Sequence, residues 1–498
     1  MPACLQAIRL WAYTIAGLLM IVLMPPAPRL ALAAPATYYI APNGHDTNPG
    51  TQNAPFQSIK KANSVVKAGD TVFFRGGTYM LASSGWIGAK GTAAARITFQ
   101  SYPGELAVFD GSQLNAQDDV IAIGGSYIDF KDTEIRNSQG VGIGVWGGSH
   151  IRILNNVIHG SQRQAIWCGY SDFTTVNDIV IDGNTIYDNV LSNRPVTPSS
   201  PHPSAVLSHR ASNITFTNNL VYQNYGEGIN PALTKGGLIA WNILHDNYVN
   251  NIYLDNATDF RVEGNFVYTT NDQRFYNNGA PASGIMIANE TYNLTNPSAN
   301  LVVINNILSG ARFNFGYGDY DRGGGLQNLV FANNTLVNAT QAALHMDGDP
   351  NHANLVFVNN IVTQSQSGGK MLDSWNGTAG YANMTFHHNL WFGGDSSSVA
   401  GAEDINSDPL FVNPGGTQPT DYQLRSDSPA VNTGVALAAV KGDFWGACRP
   451  SGAAYDLGAQ ETSTGIAPYS FTQQLTGSSI FLPLTQAMPM HNATGCQG

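Results

Sequence analysis

One short phrase recurs nine times between Ile151 and Phe392, and no other feature constrains the fold of this chain as tightly. Each copy is an apolar run that closes on asparagine and reopens on an apolar pair: IRILNNVIH, DIVIDGNTIY, ITFTNNLVY, GLIAWNILH, FRVEGNFVY, LVVINNILS, LVFANNTLV, LVFVNNIVT and MTFHHNLWF. The closing asparagines are Asn156, Asn184, Asn219, Asn242, Asn265, Asn306, Asn334, Asn360 and Asn389, at intervals of 28, 35, 23, 23, 41, 28, 26 and 29 residues. A period in that range, carrying β-rich phrases and no helical spacing, marks a solenoid in which each turn buries its apolar face on the next.

In ITFTNNLVY, Ile214, Phe216, Leu220 and Tyr222 alternate with polar or asparagine positions, the pattern of strands with one face in a core. Asparagine suits the corner because it tolerates left-handed backbone and its amide bonds local main chain. Stacked corners would let those amides bond along the stack at the strand spacing of about 4.8 Å. A shortest turn of 23 residues fits three short strands plus bends. The L-x-x-L-x-L signature of a leucine-rich repeat is missing, a propeller needs blades near ~40 residues, and a sandwich would not keep the corner asparagine. The expected fold is all-β: a right-handed parallel β-helix with an N-terminal cap and a C-terminal closing segment.

Residues 1–33 have the form of an export signal: Arg9, an apolar run from Leu10 to Met24, and a small-x-small site at Ala31-Leu32-Ala33. Pro25, Pro26 and Pro28 break the run before it reaches spanning length, so the mature chain is expected to be secreted, with no integral membrane segment. Residues 34–125 are expected to form the cap and first coils, with Phe56, Ile59, Ala62, Val65 and Val66 at helical spacing over the open end. The core follows over 126–400, then C-terminal coils over 401–461 and a tail over 462–498. Asp46, Asn48 and Asp70 near the start are assigned ordinary turn roles. Of the four cysteines, Cys4 leaves with the signal, Cys448 with Cys496 is a possible tail clamp, and Cys168 remains.

Lys and Arg number 23 against 34 Asp and Glu, a net charge of −11 with no basic cluster, which excludes a protein that binds nucleic acid through its backbone. The same balance makes neutral sugars easier partners than strongly anionic polymers. Phosphate loops, a Ser-His-Asp arrangement and a His-Glu-x-x-His motif are not recognisable. A solenoid capped at both ends is expected to be a monomer.

The segments NGHDTNPGT…PFQSI…AGDTVFFRGGTY, the asparagine-cornered coils and DP-F…DYQL…SPAVNTG…YDLGA together resemble extracellular carbohydrate-active right-handed β-helix proteins. The resemblance covers most of Thr37 to Glu461 and implies carbohydrate work. That group includes polysaccharide lyases, glycoside hydrolases and epimerases, so the chemistry stays open.

Two coils are oversized, with excursions at 193–204 and 271–299, and two minimal coils lie between them. This spacing predicts a walled trough whose floor runs from Gln223 to Thr270. Glu227, flanked by Gly226 and Gly228, and Asp255, outward beside Tyr253, are the expected acid pair of a glycoside hydrolase acting on a polysaccharide or oligosaccharide. Tyr225, Trp241 and Tyr253 are expected to crowd Glu227 and raise its pKa. Asp246 is a third catalytic candidate, although it shares its corner position with Asp188 and Gln223, which suggests a repeated turn. Tyr225, Tyr253, His245, Lys235 and Tyr292 are the expected substrate contacts. His345 and Asp347 lie further along the stack.

A hydrolase of this kind requires no cofactor. The alternative is a lyase or uronate epimerase, with Ca2+ and a Lys, Arg or His base, Lys235 being the only lysine in the floor. A binding protein without a competent acid pair is the third reading.

Overall fold

The computed structural model describes residues 34–462, apart from 170, 173, 198, 291–296, 321–323 and 366–368. The chain divides after Pro35, and the compact body begins at Ala36. The proposed export signal, Tyr292, Cys496 and the tail beyond 462 lie outside the described residues.

The alternating phrases form the expected architecture, a right-handed parallel β-helix built of three sheets. Sheet 1 has 13 strands, from Thr37–Ile40 to Met384–His387. Sheet 2 has 13 strands, mostly three residues long, from Gly77–Met80 to Ile405–Asn406. Sheet 3 has 11, from Gly85–Ile87 to Lys370–Asp373. One coil shows the order: Ser212–Thr217 in sheet 1, Leu220–Tyr222 in sheet 2, Glu227–Ala232 in sheet 3, then Lys235–Ala240 back in sheet 1. Strands pair in parallel, with Ile214 on Gly237 and Val221 on Leu244. Alternate residues such as Ile229, Ile252 and Ile285 fill one continuous core.

The asparagines of the repeat stand at the corner between sheets 1 and 2 and bond along the axis. The Asn219 amide donates to Asn242 Oδ1 at 2.9 Å, Asn242 to Asn265 at 2.9 Å and Asn265 to Asn306 at 2.9 Å. Each Oδ1 also accepts the preceding asparagine's backbone N–H, and each amide reaches a strand carbonyl, as Asn242 does Phe216 O. A second spine, Asn189–Asn224–Asn247, lines the corner between sheets 2 and 3. Every polar atom taken into the interior there is repaid by a neighbour one coil away.

At the N-terminal end the helix is shorter than its spacing predicts, Ile59–Asn63, capped by Ser58. Asp46 accepts the Gln57 and Ser58 backbone N–H groups and Asp70 those of Ala36 and Lys67, turn roles as expected.

The C-terminal segment differs from its expected form. After Asn406 it adds no coil; it runs back along the outside of the solenoid. Phe411, Tyr422 and Leu424 cover Phe266, Ile307, Val337, Ile361 and Leu390 on the outer face of sheet 2. Val440 and Tyr455 cover the corner residues Ile304, Ala332 and Val358. The physical reason is that sheet 2 turns apolar outward in these coils, and that strip needs cover. Cys448 is disulfide-bonded, whereas Cys168 is free and buried.

Candidate functional site

Sheet 3 carries the acidic residues. Its register aligns Ile229 with Ile252, as counting from the corners predicts, which sets Asn230 opposite Tyr253 and Ala232 opposite Asp255. Ile252 and Leu254 point into the core, and Tyr253 and Asp255 point outward.

Glu227 opens its strand, and its neighbours in the ladder are Ser204 on the coil before and Asn250 on the coil after. The side chain is 2% exposed. Its carboxyl accepts from Asn250 Nδ2 at 2.8 Å, Ser204 Oγ at 3.0 Å and Asn230 Nδ2 at 3.1 Å. Burial pushes its pKa up to about 8 against those three donors, and the nearby charge of Asp255 adds to the rise. The flanking glycines serve the backbone here. A Cβ on Gly226 would lie 2.3 Å from Pro203 O, and one on Gly228 2.3 Å from Asn251 O.

Asp255 is 3% exposed. Tyr253 lies beside it, with its hydroxyl bonded to the Glu290 carboxylate. Burial holds the Tyr253 phenol far up, reinforced by the charges of Asp255, Glu290 and Glu227, so the three carboxyls share one neighbourhood. Tyr320 joins it from the next loop. Desolvation of its hydroxyl, then Glu290, Asp347 and Glu227, push that group up as well. Burial lowers the pKa of His202, which stands near Glu290.

Other candidates stand elsewhere. Asp246 and His245 are bonded to each other at 2.7 Å on sheet 2 and its corner, and Asp246 also takes the Thr269 and Thr270 hydroxyls and the Thr270 N–H. That is a turn role, with φ 51° at Asp246, Asp188 and Gln223 alike. His245 belongs to a stack of rings running His159, Tyr187, Tyr222, His245, Tyr268, with centroids 4.7–5.2 Å apart.

Lys235 is exposed on sheet 1, because it follows the corner that ends the Glu227 strand. Tyr225 is buried with Val190, Ala205 and Phe275 beneath the 193–204 excursion, as the loop it anchors requires. Trp241 packs over Gly264 at the corner between sheets 1 and 2, so the crowding of Glu227 comes from its own ladder and not from this ring.

His345 and Asp347 do lie on the outer face of sheet 3, three coils beyond Tyr253 and Asp255, with the His345 ring between Phe313 and Trp375. Asp347 accepts the Trp375 and Asn376 backbone N–H groups.

The two oversized coils do not stand at opposite ends of a trough. The 193–204 excursion and the first part of the second, 271–282, leave sheet 2 and enter sheet 3 on the same edge, where Val196, Thr197, Gln273, Tyr276, Asn278 and Gly279 line a shared cavity of about 320 Å³. The rest of the expected 271–299 excursion is interrupted by the sheet 3 strand Ser283–Asn289. Glu290 comes from the opposite edge, after Ser283–Asn289.

Ser204, Asn230, Asn250, Glu290 and Tyr320 were not singled out by sequence reasoning. Ser204 and Asn250 lie 23 residues either side of Glu227, so the coil period itself was the available signal. Glu290 and Tyr320 sit beside loops of irregular length, where no period operates. Among the described residues no three His, Cys, Asp or Glu side chains are grouped to hold a metal ion.

Residues 38–194 match the family model for the Pel9A-like right-handed β-helix region. A pectate lyase, PEL9 of Emericella nidulans, is 42% identical over 79 residues, which are 16% of this chain and 19% of that protein, so the chain spans about a fifth of that relative. The crystal structure of pectate lyase Pel9A superposes with a TM-score of 0.51 at 17% identity, over 86% of this chain and 97% of that one. The complex of XylC with xylose does so with a TM-score of 0.51 at 14% identity, over 75% and 87%. The family match ends at Arg194, before Ser204 and Glu227. The fold is thus that of the right-handed parallel β-helix proteins, and the chain is similar to the carbohydrate-active members among them, with the Pel9A-like match lying in its N-terminal coils.

Proposed function

We propose that the protein is a secreted glycan-cleaving enzyme that hydrolyses a glycosidic bond over sheet 3, with Glu227 as general acid and Asp255 as the carboxylate that activates water. The observation that carries this reading is the buried Glu227 carboxyl, whose pKa of about 8 keeps it protonated at neutral pH. A straight strand would hold the two residues five positions apart. The Glu227 carboxyl is held by Ser204, Asn230 and Asn250, and the charge of Asp255 on the next coil acts on it, so the two carboxyls lie within electrostatic reach of each other. A carboxyl separation of about 6.5–9.5 Å would leave room for a water and invert the anomeric centre, and one near ~5 Å would retain it.

The steps balance. Glu227 gives its proton to the leaving glycosidic oxygen as the C–O bond breaks. Asp255 takes a proton from the water whose oxygen bonds to the anomeric carbon. Tyr253, tied to Glu290, would position the sugar between them.

A second reading, β-elimination of a uronic polymer, is favoured by the Pel9A likeness. It would require a base and a partner for the uronate carboxylate. Lys235 faces away on sheet 1, whereas His202, Tyr253 and Tyr320 stand beside the carboxyls of the site, with Arg312 near Tyr320.

Reducing ends and the ultraviolet absorbance of unsaturated sugars, followed together on neutral and uronic polysaccharides, separate the two. Reducing ends alone, lost in Glu227→Gln, support hydrolysis. Absorbance that grows with them overturns it in favour of elimination.

A further inference from the structure

The outer face of sheet 3 continues from the acidic cluster toward the N-terminal end as an unbroken ladder. Tyr253 stands opposite Asn230, Asn230 opposite Leu207, and Leu207 opposite Trp167. Trp167 pairs with Gly144, Gly144 with Ala122, and Ala122 with Trp86. Six coil steps, about 29 Å, therefore separate Trp86 from Tyr253 on one face. The core beneath is filled by the opposite parity, Ile121, Ile123, Ile143, Val145 and Ile166, so these indoles add nothing to it.

The indoles are braced. Trp86 is 46% exposed and lies flat over Gly88 and Gly124, where a Cβ would come within 2.7 and 2.3 Å of its ring. Trp146 sits over Gly144 in the same way and donates its indole N–H to Asp119. Its ring meets Trp167 at 5.1 Å and 61°, and the Arg163 guanidinium covers Trp167 at 5.2 Å. Trp86 is open to solvent and Trp146 and Trp167 are half-buried; all three are large residues outside the core, held by their neighbours as rigid platforms that lose little entropy on binding.

We propose that Trp86, Trp146 and Trp167 are binding subsites for one arm of a long neutral glycan chain, laid along the solenoid axis with its apolar sugar faces on the indoles. The enzyme then cleaves internally, well away from the chain end. This rests on the Glu227 reading for the cleavage point only; binding along the ladder is independent of it.

The test uses the full-length protein carrying Glu227→Gln, in affinity gels containing soluble xylan, mannan or mixed-linkage β-glucan, with polygalacturonate as the acidic counterpart. At least one neutral polymer is expected to retard it, and adding Trp86→Ala is expected to weaken retardation about tenfold, or about 1.4 kcal/mol. Trp86→Phe should restore much of the binding, which a mere folding defect would not allow. On oligosaccharides of increasing length, the Trp86→Ala loss in kcat/KM should grow with chain length. Unchanged retardation in a folded Trp86→Ala, retardation by polygalacturonate alone, or no retardation by any polymer overturns the proposal. Full cleavage by Glu227→Gln would instead overturn the assignment of the acid and leave the ladder standing.

Discussion

Asn242 and Glu227 are both almost wholly buried polar side chains, yet the solenoid treats them in opposite ways. Asn242 gives its amide to Phe216 O, Ala240 O and Asn265 Oδ1, and its own oxygen accepts from Asn219. It is neutral, so burial charges it nothing beyond hydrogen bonds that are returned in full. Glu227 has three donors around its carboxyl, and burial with Asp255 nearby still holds the proton on. The asparagine corner is a device for stability; the acid cluster stores electrostatic cost in one place. A fold whose spine is so fully satisfied can carry such a cost without losing its shape.

The largest effect that would break this contrast is at the spine. Asn242→Ala leaves the Asn219 N–H and the Phe216 carbonyl without their partner in a dry interior, and is expected to cost about 3–5 kcal/mol in urea unfolding. Glu227→Gln should do the reverse: stability kept or raised, with hydrolysis reduced about 10²–10⁴-fold, as expected for removal of a general acid. Equal destabilisation in both variants would erase the distinction.

The pH dependence sharpens it. Glu227 is protonated in the fold up to about pH 8, but in the unfolded chain it ionises near its ordinary value of 4.5. Between those values the folded state binds the extra proton, so stability falls as pH rises, by up to about 1.4 kcal/mol per pH unit, and levels off above about 8. Glu227→Gln should remove this component from pH-dependent melting, and the wild-type rate should decline above about pH 8. The smallest expected effect is at Asp246→Asn, about 1 kcal/mol from weakened bonds to His245, Thr269 and Thr270, with the cleavage rate unchanged.

The period made the spine legible, because the residue that stacks recurs at every coil. It also located Ile229 against Ile252, and hence Tyr253 and Asp255 outward. Glu227 was visible as an acid between glycines, but its crowding was not. Ser204, Asn230 and Asn250 are unremarkable residues until the register brings them to one carboxyl. Asp246 and His245 share the floor segment with Glu227 in sequence, and the corner turns them onto another sheet. Lys235 is likewise one corner too far. Linear proximity fails at each bend, where three residues can separate two faces of the molecule.

The returning C-terminal segment has a consequence for how the molecule is assembled. Neighbouring coils join through asparagines 23 to 41 residues apart. The return makes its bonds over 113 residues from Tyr422 to Ser309, 144 from Arg449 to Asn305 and 178 from Ala439 to Arg261. Coils can therefore nucleate and propagate as local events, while the strap closes a loop several times longer. Until it docks, the strip from Phe266 to Leu390 stays bare, and the adhesive phase of folding ends only when residues 407–461 have come home.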